Sequence, residues 1–241
     1  MGSRMRHPTL IAAVVIGMLA VAPAASARPL ELGSSGVDVR HLQQRLAELS
    51  FLPDSAASGQ FDQRTWHAVV AFQGWQGIPP DGVAAGNTRR MLRRATLPQP
   101  SSRDDGFEIH LRAQVLLIVR NGTTRRAIHV STGSGDRTPH GHFSVYSKQV
   151  MSWSKPFKTW LPLAQYFVGG IAMHQYFSVP AYAASHGCVR LPADEANVVW
   201  SKGEVGDRVW VTTDNRIVNI SVRQLKRRAK VRAHVLRVMS L

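Results

Sequence analysis

The hydrophobic period of this chain changes once, and that change limits its fold more than any other feature. Upstream of residue 97, apolar residues recur at three- and four-residue spacing: Val39, Leu42, Leu46 and Leu49, then Trp66, Val69, Val70 and Trp75. Downstream they form short runs rich in Val, Ile and Leu, or alternate with polar residues, as in Ala113–Arg120 and Asp207–Thr213. A helical stripe cannot serve as one face of a strand, because the two periods place side chains differently. The switch falls in LPQPSSRDDG (97–106), where two prolines, two serines and two aspartates disfavour either regular element. The class is therefore α+β. We expect a small helical domain of three helices (28–95), a linker (96–107), a β-rich domain (108–214) and a tail (215–241).

Local signals sharpen this division. Ser35 or Asp38 can cap the first helix. The second is entered through Phe61-Asp62, with Thr65 in its first turn, and Gly77 followed by Pro79-Pro80 ends it. Asn87 can cap a short third helix through Arg94. In the second half, Asn121-Gly122 separates Ala113–Arg120 from Thr123–Ser131, the signature of a hairpin whose two turn residues both take positive φ. His142–Ser147 and Gly169–His174 also read as strands, and Asp194–Ser201 reads as a helix ended at Gly203.

The first residues bear on compartment. Arg4, Arg6 and His7 precede an apolar run from Thr9 to Val21, and Ala25-Ser26-Ala27 has the small-x-small form of a cleavage site. Residues 1–27 thus read as a secretory signal peptide, which predicts export to the cell wall or periplasmic space; an uncleaved anchor is the alternative. Lys and Arg number 30 against 15 Asp and Glu among 241 residues, so an anionic partner is expected. Export argues against nucleic acid and in favour of anionic wall polymers or a membrane surface. From Arg216 onward the tail holds basic and apolar residues and no acid, consistent with a helix on an anionic surface or with a solvated charged tail.

Cys188 is the chain's single cysteine and lies in Ser185-His186-Gly187-Cys188-Val189-Arg190. An exported protein meets oxidising conditions, where structural cysteines come in pairs. The surroundings suit a nucleophile. A thiol needs a base to form thiolate, and His186 and His174 are both candidates for accepting its proton and holding an ion pair. Gly187 permits close approach of substrate, and N–H groups near Gly187 and Cys188 can stabilise an oxyanion. Arg190, two residues past Cys188 in an extended segment, shares its face and offers a fork for a carboxylate.

Ile171-Ala172-Met173-His174 followed by Ser185-His186-Gly187-Cys188-Val189-Arg190-Leu191 closely resembles the signature of L,D-transpeptidases with a YkuD-type catalytic domain. Thr132-Gly133 and Thr138-Pro139-His140-Gly141-His142-Phe143 resemble that family's upstream elements, so the likeness covers about residues 108–214. It implies a small β-rich domain in which Cys188 attacks the carbonyl of the third residue of a peptidoglycan stem peptide. A thioester forms, terminal D-Ala leaves, and a second stem peptide's amine resolves the thioester into a 3→3 cross-link. His174 is then the general base, His186, Ser185 and Gly187 shape the oxyanion site, and Arg190 orients a carboxylate. Tyr166 and Met173 are further candidates for substrate contact. The aromatic stretch Trp153, Phe157, Trp160, Tyr166 and Phe167 suits the groove or, for most of its members, the core. No cofactor and no metal is implied; His140 and His142 form only an isolated His-x-His pair. Residues 30–94, with Gly33-Ser34-Ser35-Gly36-Val37-Asp38-Val39, Gly59-Gln60-Phe61-Asp62 and Asp81-Gly82-Val83, resemble a three-helix peptidoglycan-binding domain, which would hold the enzyme on its polymer. Two alternatives stay open: an L,D-carboxypeptidase with water as acceptor, and an inactive wall-binding protein.

Overall fold

The structure, a computed structural model, describes residues 28–213; the expected signal peptide and basic tail lie outside them. The fold is mixed α+β. Helices α1 (Val37–Glu48), α2 (Gln63–Gln76) and α3 (Gly86–Arg94), with a 3-10 turn at Asp54–Ala56, precede a β-rich part. Asp62 caps α2 by accepting from the Thr65 N–H at 2.8 Å, and Gly77, at φ 67°, ends it in the left-handed region. The caps expected elsewhere are replaced. α1 begins after Gly36 with no side-chain cap, and α3 begins after Ala85, so Asn87 lies inside the first turn and accepts from Arg90 at 2.8 Å.

Among the described residues nine strands follow: β1 (Gly106–His110), β2 (Val115–Arg120), β3 (Thr123–His129), β4 (Gly141–Ser144), β5 (Ser147–Ser154), β6 (Thr159–Val168), β7 (Ile171–Gln175), β8 (Val189–Leu191) and β9 (Arg208–Thr212). α4 (Ala193–Lys202) lies between the last two. One sheet has the order β3-β2-β1-β9-β4 and the other β5-β6-β7-β8; β1/β9 and β7/β8 are parallel pairs. Asn121 and Gly122 take φ of 54° and 65° in the β2–β3 turn, as both positions of the expected turn require.

The continuous apolar run of β2 has a direct cause: the strand is buried on both faces. Val115, Leu117 and Val119 join one core with Val39, Leu46, Val69 and Phe72 of the helices. Leu116 and Ile118 point the other way, into a second core with Phe107, Ile109, Met173, Val189 and Val211. The helical part therefore packs directly on the sheet. The Pro/Ser segment between them is held as well, since the buried Glu108 carboxylate accepts from the Ser101 and Ser102 N–H groups at 2.9 and 2.8 Å.

Candidate active site

The parallel β7–β8 pairing builds the site. Its register sets Met173 against Val189 and His174 against Arg190, so β7 delivers His174 beside the strand that Cys188 leads into. The end of β3 holds the same loop from the other side. Arg190 and Ser131 exchange backbone hydrogen bonds of 2.9 and 3.1 Å, and the Thr132 carbonyl accepts from the Ala184 and Ser185 N–H groups. Thr138, fully buried, donates its hydroxyl to the Gly187 carbonyl at 2.7 Å and accepts from the Gly133 N–H at 2.8 Å. Gly187 sits at φ 141°, a conformation L side chains rarely adopt.

Cys188, His174, Arg190, Ser185, His186 and Tyr166 all line one cavity of about 750 Å³. Ser185 is buried; its hydroxyl accepts from the Gly187 N–H at 3.0 Å and donates to the Cys188 carbonyl at 2.5 Å. The Gly187 N–H is therefore already engaged and is not a free oxyanion donor. Exposed His186 stacks on Phe157 with ring centroids 4.7 Å apart.

His174 is buried, and its Nδ1 lies 2.7 Å from the Gln175 carbonyl. A carbonyl can only accept, so Nδ1 carries the proton and the neutral ring keeps its lone pair on Nε2. Burial lowers the pKa of His174 to about 4; the Gln175 hydrogen bond opposes this and the Arg190 charge adds to it. Burial also pushes the Cys188 thiol up, against a hydrogen bond with the Ala172 backbone and the Arg190 charge. Both shifts favour the neutral form, imidazole for His174 and thiol for Cys188, and the Cys188 Sγ lies 3.9 Å from the Gly170 carbonyl as a donor.

Met173 must be reassigned from substrate contact to packing. Alternation along β7 turns it away from His174, and it is fully buried in the second core. The aromatic stretch also differs from the expected core role. Phe167 is buried, whereas Trp153, Phe157 and Trp160 are about half exposed, and Trp153 and Phe157 line the cavity. The sequence reading missed Tyr176, which also lines the cavity and carries the Arg190 guanidinium 4.2 Å from its ring centroid. Its place two residues beyond His174 was the available signal. His142 stacks on Trp210 at 5.0 Å.

Comparison with known proteins agrees with this architecture. Residues 104–211 match the L,D-transpeptidase catalytic domain family YkuD, and residues 35–92 match a peptidoglycan binding domain family. The crystal structure of an L,D-transpeptidase (residues 123–326) from Xylanimonas cellulosilytica is similar, with 34% identity and a TM-score of 0.72, covering 79% of this chain and all of that one. A protein named "Probable N-acetylmuramoyl-L-alanine amidase" from Bacillus licheniformis is 40% identical over 67 residues, and a spore cortex-lytic enzyme from Bacillus cereus is 36% identical over 77. These matches cover 27% and 32% of this chain, and the chain spans only 19% and 29% of the length of those two relatives.

Proposed function

Because this chain belongs to the L,D-transpeptidase family, with a YkuD catalytic domain behind a peptidoglycan-binding domain, we propose that it is an exported enzyme that forms 3→3 stem-peptide cross-links through a Cys188 thioester. The observation that carries this reading is the held tautomer of His174: its Nε2 lone pair is the proton acceptor that a neutral thiol requires.

In the first step the Cys188 proton passes to Nε2 of His174 as sulfur bonds to the carbonyl carbon of the third stem residue. The oxyanion needs a donor other than the occupied Gly187 N–H, and the Cys188 N–H is the adjacent one in the chain. Collapse breaks the amide bond to D-Ala, and His174 returns the proton to the departing amine. The acceptor amine then attacks the thioester and gives its extra proton to His174. The C–S bond breaks and the thiol is restored. Arg190, supported by Tyr176, holds a substrate carboxylate. The helical domain keeps the polymer close, raising effective concentration.

The test is mass spectrometry of disaccharide-tetrapeptide after incubation with the protein, Cys188→Ala and His174→Ala. A 3→3 dimer made by the wild type and by neither variant is expected. Tripeptide and free D-Ala without dimer would assign a carboxypeptidase, and no turnover by the folded protein would leave a wall-binding role.

A further inference from the structure

The β5–β6 hairpin forms part of the cavity wall and carries aromatic surface that the reaction at Cys188 does not use. Directly paired residues share a face of the hairpin, and successive pairs alternate. Ser152 and Leu161 are a buried pair; the next pair, Trp153 and Trp160, is 47% and 53% exposed. Their indoles meet edge to face, with centroids 5.1 Å apart. Met151, itself half exposed, pairs with Pro162 and continues the same face. Trp153 also reaches the wall of the cavity that holds Cys188, whereas Trp160 lies beyond it. Ser154, Thr159 and Leu161, on the alternate face of the hairpin, line the cavity as well, so the apolar strip meets the cavity at Trp153 and otherwise runs over the hairpin's other face.

We propose that Trp160, together with Trp153, is a carbohydrate subsite that stacks a pyranose ring of the glycan bearing the stem peptide. This rests on the function proposed above. A pyranose presents C–H groups on one face and hydroxyls around its rim, so a flat, half-exposed indole takes the face and leaves the rim in water. Continuity with the cavity selects this occupant. A polymer whose peptide branch is seated at Cys188 must carry its sugar out of the cavity, and Trp160 packs against Trp153 at the cavity wall.

Two measurements test this. A linear N-acetylglucosamine oligosaccharide without peptide is titrated into the protein, Trp160→Phe and Trp160→Ala, and indole N–H shifts are followed by NMR. Separately, kcat/KM is compared for disaccharide-tetrapeptide and free tetrapeptide. The wild type is expected to bind the oligosaccharide and to favour the glycosylated substrate about tenfold, equivalent to about 1.4 kcal/mol. In Trp160→Ala the indole response should vanish and the ratio fall towards one, with Trp160→Phe intermediate. An unchanged ratio in Trp160→Ala, no oligosaccharide binding by the wild type, or Trp160-dependent adsorption to lipid vesicles in its place overturns the subsite. If neither substrate turns over but the oligosaccharide still binds through Trp160, the cross-linking reading fails and the subsite stands.

Discussion

The proton held by His174 and the one held by Cys188 are governed by the same burial, acting with opposite sign. The imidazolium is disfavoured, so His174 stays neutral down to about pH 4, and the thiolate is disfavoured, so Cys188 stays protonated past the usual thiol range. In the proposed reaction, attack draws on a thiol and a neutral imidazole that line the same cavity, the forms both shifts favour at neutral pH. The expected kcat/KM is flat through neutrality and falls about tenfold per pH unit once His174 protonates below about 4. Iodoacetamide alkylation of Cys188 should be slow at pH 7 and accelerate only as pH rises through the alkaline region. Rapid alkylation persisting to pH 5 would show that the pair rests as thiolate and imidazolium, and would overturn the neutral-pair assignment.

The elements around the site are held by contacts too close for any larger residue. Gly133, at φ −65°, has ordinary backbone, but a Cβ there would lie 2.8 Å from the Thr138 nitrogen and 2.9 Å from the Gly187 Cα. Gly133→Ala must therefore displace the loop carrying Cys188. Because a 1 Å error in catalytic geometry costs on the order of a hundredfold, activity should fall by about that factor while the cooperative melt is kept. Wild-type turnover by Gly133→Ala would show that this loop has slack. Such contacts also mark the boundary of what the sequence can reveal. The Asn121-Gly122 turn, the Asp62 cap and the segment around Cys188 were legible because their chemistry is complete within a few residues. The bond from Thr138 to the Gly187 carbonyl spans 49 positions, and Tyr176 stacks on Arg190 only once β7 and β8 pair in parallel, so neither left a periodic trace. The β5–β6 hairpin was hidden for another reason: in β5 the large apolar side chains Val150, Met151 and Trp153 are exposed while the small polar Ser152 is buried, so hydrophobicity does not mark the buried face. Met173 was misplaced because a motif groups neighbours that a strand sends to opposite faces.

At the scale of the whole molecule, the helical domain and the sheet act as one packed body, and their joint contains a titratable pair. Gly74 of α2 lies so close to the sheet that a Cβ would sit 2.2 Å from the Ala113 carbonyl oxygen. About two turns earlier on α2, Nδ1 of His67 meets Nδ1 of His129 on β3 at 2.8 Å, and Nε2 of His129 lies 3.2 Å from the Pro180 carbonyl, in the segment between His174 and Cys188. Since Pro180 can only accept, His129 carries its proton on Nε2 and accepts at Nδ1 from His67. A second proton on His129 would face the His67 N–H. Burial lowers both groups, His67 to about 4, opposed by Asp194, and His129 to about 3, where the His67 charge also lowers it and the Pro180 hydrogen bond opposes. The sign follows: below the ordinary histidine value of 6.5 the unfolded chain binds protons that the folded one refuses, so stability is full above that pH and declines as pH falls towards 4 and 3. Each group adds at most about 1.4 kcal/mol per pH unit to that slope. Urea unfolding at pH 7 and pH 4.5 should therefore show a larger loss for the wild type than for a His67→Asn/His129→Gln double variant, whose amides cannot titrate. An equal loss in both proteins would mean that the acid sensitivity comes from other groups and that the joint is indifferent to protons.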